Sequence, residues 1–236
     1  FIDGKKMDSF SKQQATIKSA FYDFKIEIPN SDPTDLAIAL SSSKKAKLEV
    51  EKLSLLQRAQ ILDKAAKNFQ ATEEEIEYAV KMLGVPKKMI IQKIENIKYI
   101  LEKLFEHSKK RYNYIHNEFL HHHFDENAFV YKRPLDNLAS CFVPGNDISV
   151  AAFVFAHTVI SGSRMIAKPS KEEPYFTLKM AKTITEAGYP KGAINVIIWD
   201  STDKTRKNMA HALIAETQSR IVFGDDSTLH ALRFQE

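Results

Sequence analysis

Across residues 33–114 apolar side chains recur every third and fourth position with almost no glycine between them, the spacing of helices that bury one face. Leu55, Leu56, Ala59, Ile61, Leu62 and Ala65 form one such stripe. Thr72 followed by Glu73, Glu74 and Glu75 marks a capped helix start whose acidic first turn suits the helix dipole, and Gly84 and Pro86 punctuate its end. A long helix follows from Lys87, carrying Met89, Ile90, Ile94, Ile97, Ile100, Leu101 and Leu104. From residue 116 to 132 the pattern loosens into strand-like alternation with a turn at Asp125-Glu126-Asn127, a β-hairpin. Beyond it the chain alternates: strand 138–143, helix 148–161, strand 164–167, helix 173–187, strand 194–199, helix near 206–216, strand 221–223, and a last helix from about Ser227. Strands separated by helices in this way require a parallel sheet with crossover connections. The expected fold is α/β: a doubly wound, mostly parallel nucleotide-binding sheet with an N-terminal helical region and a protruding hairpin. The corresponding divisions are a helical part over 1–115, a hairpin arm over 116–135 and a sheet core over 136–236.

Composition narrows the partners more than the fold. The 236 residues, 44% hydrophobic and 27% charged, suffice for a sizeable core. A net charge of +4 with both signs interspersed lacks the clustered basic face of a nucleic-acid binder. No apolar run reaches the length of a membrane span, and Phe1-Ile2-Asp3-Gly4 lacks the organisation of a signal peptide. A single cysteine excludes an internal disulfide and points to a reducing, cytoplasmic setting.

Candidate chemistry concentrates at two expected strand ends. After the first strand come Val143, Pro144, Gly145 and Asn146, a loop able to leave the Asn146 amide free to donate. At the end of the next stands Lys168, followed by Pro169, Ser170 and Lys171, where ligands bind in open α/β sheets. Phe223, Gly224, Asp225, Asp226 and Ser227 follow the last strand, and Ser227 can offer a hydroxyl at a helix start. Each has a plainer reading: a solvated lysine, a turn asparagine, and Asp225 and Asp226 carboxylates that cap the helix and face away from the cleft. Cys141 lies inside a strand and reads as a small buried hydrophobe. His121, His122 and His123 would alternate between faces of a strand and cannot easily converge on one metal ion, so no metal site is expected. There is no Gly-x-Gly-x-x-Gly, no Walker loop and no His-Glu-x-x-His.

Pro144-Gly145-Asn146 and Lys168-Pro169-Ser170 resemble the cofactor-domain signature of the aldehyde dehydrogenase superfamily. Tyr131-Lys132-Arg133-Pro134-Leu135 resembles its arginine-proline-leucine segment, residues 187–197 its turn and strand, and residues 1–6 its opening strand. Gly145, the Phe223-Gly224-Asp225 segment, Ile198-Trp199 and residues 168–174 are most similar to the acyl-CoA reductase (fatty-acid reductase) branch. The resemblance implies an NAD(P)-dependent oxidoreductase that interconverts an aldehyde and an acyl thioester or acid, with Asn146 stabilising an oxyanion and Lys168 holding the adenosine ribose. It implies that Val143, Pro144, Gly145, Ser170, Phe223, Gly224 and Ser227 line the same cofactor cleft, and that the hairpin pairs subunits into a homo-oligomer. Where many members that prefer NAD carry a glutamate, this chain has Lys171; a second cation attracts a 2′-phosphate that a carboxylate would repel, so NADP is expected, with NAD possible. The family's nucleophilic cysteine lies far later in sequence, so residues 1–236 are expected to be a cofactor-binding portion without it, unable to turn over alone. The alternative is a non-catalytic nucleotide-binding or interaction module that pairs with a separate catalytic subunit.

Overall fold

The computed structural model describes the backbone except at residues 112, 116–117, 124–127, 133–137, 204–205, 207, 225 and 233–236, and the side chains except at these and at 108–137, 227, 228 and 231. Three helices begin with reciprocal caps. In α1 (Pro33–Glu51) the Asp32 carboxylate accepts from Thr34 and Asp35 amides while Asp35 accepts from the Asp32 amide. Ser54 with Gln57 opens α2 (Leu55–Asn68), and Thr72 with Glu75 opens α3 (Glu73–Leu83) as its sequence indicates. Gly84 closes α3 in the left-handed conformation, φ 64°. The long α4 (Lys87–Arg111) turns Ile90, Ile94, Ile97 and Leu101 inward, in steps of four, three and four.

Two residues assigned to the buried stripes lie outside them. Leu56 is 50% exposed and Met89 49%. Each is displaced by one residue, about 100°, from a fully buried neighbour, Leu55 or Ile90, and faces water instead. A second departure is the antiparallel pair β1 (Gln14–Lys18) and β2 (Lys25–Pro29), which the hydrophobic pattern did not indicate. Only Ile17 and Ile28 of this hairpin are buried, and its outer face carries a Thr16 to Glu27 hydrogen bond of 2.7 Å. Residues 1–6 form no long strand but a single bridge, Ile2 to Lys5.

The expected protruding hairpin is a three-stranded antiparallel sheet, β3 (Asn113–Ile115), β4 (Glu118–His123) and β5 (Ala128–Lys132). The turn residues Asp125, Glu126 and Asn127, the Arg133-Pro134-Leu135 segment and the histidine side chains of this region lie outside the described residues.

The parallel sheet has the order β8-β7-β6-β9, with β6 (Leu138–Val143), β7 (Arg164–Pro169), β8 (Ile194–Val196) and β9 (Ser219–Val222). Alternate side chains of its strands enter two different cores. Ala139, Cys141, Val143, Met165 and Ala167 pack into a cluster with α2, α3, α4, α5 (Ser149–Ser161) and α6 (Tyr175–Ala187). Leu138, Phe142 and Ile166 join Leu36 and Ala39 of α1 and Leu213 of α7 (Met209–Ala215) on the other face. Helices on both faces explain why the strands lack polar alternation, with Ser140 as the one polar residue of β6 and apolar Met165, Ile166 and Ala167 consecutive in β7. Full burial of Phe155 on α5 contributes about 1.5–3 kcal/mol of this packing.

Several element ends differ from the sequence pattern for local reasons. β7 runs two residues further, through Lys168 and Pro169, which pair with Phe142 and Val143. β8 ends at Val196 rather than Trp199: one further bond to β7 follows at Ile197, and then the Ser31 amide donates to the Ile198 carbonyl at 2.7 Å and the Asp200 amide to Asn30 Oδ1 at 2.9 Å, so the backbone pairs with residues 30 and 31 in place of a strand ladder. α6 starts at Tyr175 because Pro174 precedes it, and Glu173 instead accepts from the Phe176 amide at 3.0 Å. The end helix α8 (Asp226–Leu232) starts one residue before Ser227. Among the described residues no helix is long and apolar enough to cross a membrane.

Candidate functional site

From β6 the chain crosses to β7 and β8 on one side, then returns to β9 on the other. The reversal falls beside β6, and in open α/β sheets ligands bind outside the carboxyl ends of the strands at such a switch point. The register keeps three strand ends level. Phe142 pairs with both Lys168 and Val222, Val143 pairs with Pro169, and the Phe223 amide donates to the Phe142 carbonyl at 3.2 Å. The expected site residues Val143, Pro144, Gly145, Asn146, Lys168, Ser170, Lys171, Phe223 and Gly224 therefore share one edge of the sheet. Ser227 lies in the first turn of α8, and its side chain is outside the described residues.

The first two loops touch. Ser170 donates its amide to the Val143 carbonyl at 2.9 Å. A Cβ on Gly145 would stand 2.7 Å from the Glu172 Cβ and 2.9 Å from that of Ser170. Close approach of the loops, rather than a positive φ, requires glycine there. Asn146 then projects into solvent, and its side chain makes no hydrogen bond to another described residue. Its neighbour Asp147 is fixed from two sides: it accepts from the Ser149 amide at 2.8 Å and hydroxyl at 2.6 Å, and pairs with Lys93 of α4 at 2.6 Å. Burial alone would raise the Asp147 carboxyl, but Lys93 and Ser149 outweigh it and hold the group below its ordinary range.

Lys168 is partly buried, and its ammonium lies 5.5 Å from the centre of the Trp199 ring. Burial pulls its pKa down to about 8; Asp200 opposes the shift and Lys171 adds to it. Lys171 is exposed, and Ser170 accepts from the Glu172 amide at 3.3 Å. Cys141, facing the helix-covered core, is fully buried, and burial pushes its thiol up to about 12. It is no nucleophile as folded.

A model of the aldehyde dehydrogenase family matches residues 7–223. The chain belongs to the aldehyde dehydrogenase family. Its α/β architecture is that of the family, as solved structures show. γ-Glutamyl-γ-aminobutyraldehyde dehydrogenase of Burkholderia cenocepacia superposes with a TM-score of 0.81 at 19% identity, covering 98% of this chain and 46% of that one. An NAD-dependent benzaldehyde dehydrogenase of Corynebacterium glutamicum gives 0.79 at 18% identity over 98% of this chain and 50% of that one. The NADP-dependent glyceraldehyde-3-phosphate dehydrogenase of Bacillus halodurans, complexed with NADP, gives 0.74 at 16% identity, covering 94% and 51%. In sequence, betaine aldehyde dehydrogenase of Vibrio vulnificus is 38% identical over 76 residues, 31% of this chain and 16% of that protein. The chain thus spans about half the length of the solved structures it matches.

In this aldehyde dehydrogenase family chain, folding adds groups to the edge that the motifs do not mark. Trp199 and Asp200 join the Lys168 edge only because the segment after β8 stays beside β7, where the Ile197 amide donates to the Ala167 carbonyl at 3.0 Å. A lone tryptophan at a strand end was the available signal. Glu173 is 2% exposed, and burial pushes its carboxyl up to about 7 against the Phe176 and Tyr175 amides. Nothing in its sequence context, Lys171-Glu172-Glu173-Pro174, separates it from a solvated acid. A cavity of about 500 Å³ lined by Asp3, Ser42, Lys45, Glu49, Gly188 and Lys191 lies at the opposite edge, before β8, away from these residues. Among the described residues no cluster of three metal-ligating side chains occurs.

Proposed function

We propose that this chain is the cofactor-binding part of an NAD(P)-linked oxidoreductase of aldehydes, with NADP as the preferred cofactor. The carrying observation is Lys168: a partly desolvated cation at the carboxyl edge, three residues before the exposed cation Lys171 and level with the Asn146 loop. This donor set fits a dinucleotide's anionic, hydroxyl-rich adenosine end, because ammonium groups in a site of lowered dielectric bind phosphate and ribose oxygens strongly. Lys168 would hold the ribose, Lys171 would attract a 2′-phosphate, and Ser170, Val143, Pro144, Gly145, Phe223, Gly224 and Ser227 would shape the cleft. The bound cofactor would supply or accept hydride. Asn146 would donate its amide to the oxygen of the reacting carbonyl, where developing negative charge strengthens that bond.

Gly145 and the Phe223-Gly224-Asp225 segment support the narrower reading of an acyl-CoA or acyl-thioester reductase, and we assign the β3–β5 sheet to pairing with a second subunit in a cytoplasmic homo-oligomer. The burial of Cys141 favours a nucleophile supplied from outside residues 1–236, whether by the same polypeptide or, in the second reading, by a separate catalytic subunit.

Titration of the purified chain with NADPH and with NADH tests the proposal. Lys168→Ala is expected to weaken both by about ten-fold, the loss of one charge-assisted contact. Lys171→Glu is expected to weaken NADPH selectively. An NADPH-to-NADH ratio unmoved by Lys171→Glu rejects 2′-phosphate recognition, and native chain that binds neither rejects the cofactor reading itself.

A further inference from the structure

The carboxyl edge holds a third charge beside its two lysines. Past β8 the chain stays against the end of β7 long enough to bury Trp199, 2% exposed, under the Lys168 ammonium. Asp200 comes next and is held rigidly. Its amide donates to Asn30 Oδ1 at 2.9 Å, and its own Oδ1 accepts from the Thr202 amide at 2.9 Å and the Thr202 hydroxyl at 2.8 Å. A residue pinned at its amide and at one carboxylate oxygen is held in the closed local turn that aspartate favours, one residue past the indole over which the Lys168 ammonium lies.

We propose that Asp200 is a specificity-determining residue of the adenosine pocket, setting how far the Lys168 and Lys171 pair can favour a 2′-phosphate over free ribose hydroxyls. The inference rests on reading those lysines as cofactor ligands. The charges are coupled: Asp200 supports the charged form of Lys168, and Lys171 helps keep Asp200 ionised, after the Thr202 bonds that contribute most. With Asp200 charged, the three side chains sum to one positive charge rather than two. A 2′-phosphate carries close to two negative charges and meets repulsion from the carboxylate. A ribose hydroxyl, by contrast, can donate to a carboxylate oxygen. The same residue thus penalises one cofactor and accommodates the other, and Lys171 pulls the opposite way.

The experiment measures dissociation constants for NADPH and NADH on the native chain, Asp200→Asn and Asp200→Glu, read by quenching of Trp199, the only tryptophan in the chain. Asp200→Asn keeps the shape and the Oδ1 acceptor while removing the charge, and is expected to raise the NADPH-to-NADH affinity ratio by about five-fold, less at high salt. Asp200→Glu is expected to stay within two-fold of the native ratio. Asp200→Ser provides a second neutral variant should Asp200→Asn not fold, with the same upward shift expected. Equal weakening of both cofactors would show that Asp200 merely holds the turn and would overturn the proposal, as would an unchanged ratio in a folded neutral variant. Native chain that binds neither cofactor removes the underlying reading instead, an outcome distinct from an unmoved ratio.

Discussion

Strand β7 begins with one cation, Arg164, and carries another, Lys168, one residue before its end, and the two ends are built on opposite terms. At the amino end Arg164 is 4% exposed and donates to the Ser43 carbonyl at 2.8 Å. Beside it, fully buried Asn195 donates to the Ala39 carbonyl, the Ser43 hydroxyl and the Gly192 carbonyl at 3.2, 2.9 and 2.8 Å, and accepts from the Asp3 amide at 3.0 Å. At the carboxyl end Lys168 is partly desolvated over an indole and Asn146 projects into solvent. Arg164 and Asn195 at the amino edge are satisfied by the fold; at the carboxyl edge Asp147 and Asp200 are satisfied too, but the Lys168 ammonium and the Asn146 side chain hydrogen-bond to no other described residue. Buried polar groups that complete their hydrogen bonds specify structure, whereas aimed but incompletely paired ones are where ligand chemistry resides.

Removing a satisfied group therefore has the largest expected effect. Asn195→Ala removes the buried amide that ties residue 3, α1 and Gly192 together, which costs about 3 kcal/mol. Urea unfolding should show it as a lower midpoint with an unchanged slope. A loss below about 1 kcal/mol would mean that water enters the cluster and that the amino edge is not the closed network described.

That network also shows where the sequence stops being legible. Ser42 and Ser43 interrupt the apolar stripe of α1, so its inward face was not readable; both are buried because Asp3, Gly192 and Asn195 meet them from distant parts of the chain. The alternation from β6 to β9 was readable because strands covered on both faces are mostly apolar without a polar alternation and their crossovers must be helices. The β1–β2 hairpin buries too few residues to stand out, and β8 was overextended because Ile197, Ile198 and Trp199 are as buried as a strand while their later backbone pairs with residues 30 and 31. At the candidate site the motif residues were legible from their order along the chain. Asp200 and Glu173 were not, because proximity to Lys168 and loss of solvent are properties of the folded state alone.

Glu173 tests whether the comparison has a middle case, since it follows the Lys171 loop yet is buried. Its carboxyl is raised by burial to about 7 from an ordinary 4.5, against the Phe176 and Tyr175 amides that donate to it. The folded state thus holds the proton more tightly than the unfolded one. Its contribution to stability is fully present below about pH 4.5 and is lost as the pH rises through about 7. Glu173→Gln keeps the volume and an acceptor for Phe176. It should be nearly neutral at pH 4 and more stable than the native chain by about 2 kcal/mol at pH 8. Parallel native and variant profiles between those pH values would refute a carboxyl ionising inside the core.

The smallest effect separates the two edges most cleanly, because its sign reverses. Lys168 has a folded pKa of about 8 against an ordinary 10.5, so the folded state sheds its proton first. Native stability should rise as the pH climbs from about 8 to 10.5, where the unfolded chain alone still holds that proton. Below that window the charged ammonium is kept at a penalty. Lys168→Met retains the aliphatic stem over Trp199 and removes the charge, and should stabilise the chain by about 1 kcal/mol at pH 7 once partial solvent screening is allowed for. The same substitution should weaken both nicotinamide cofactors. Stability gained where binding is lost is the mark of a residue kept for its chemistry. A loss of stability instead, as with Asn195→Ala, would put Lys168 among the structural polar groups and make the two ends of β7 alike.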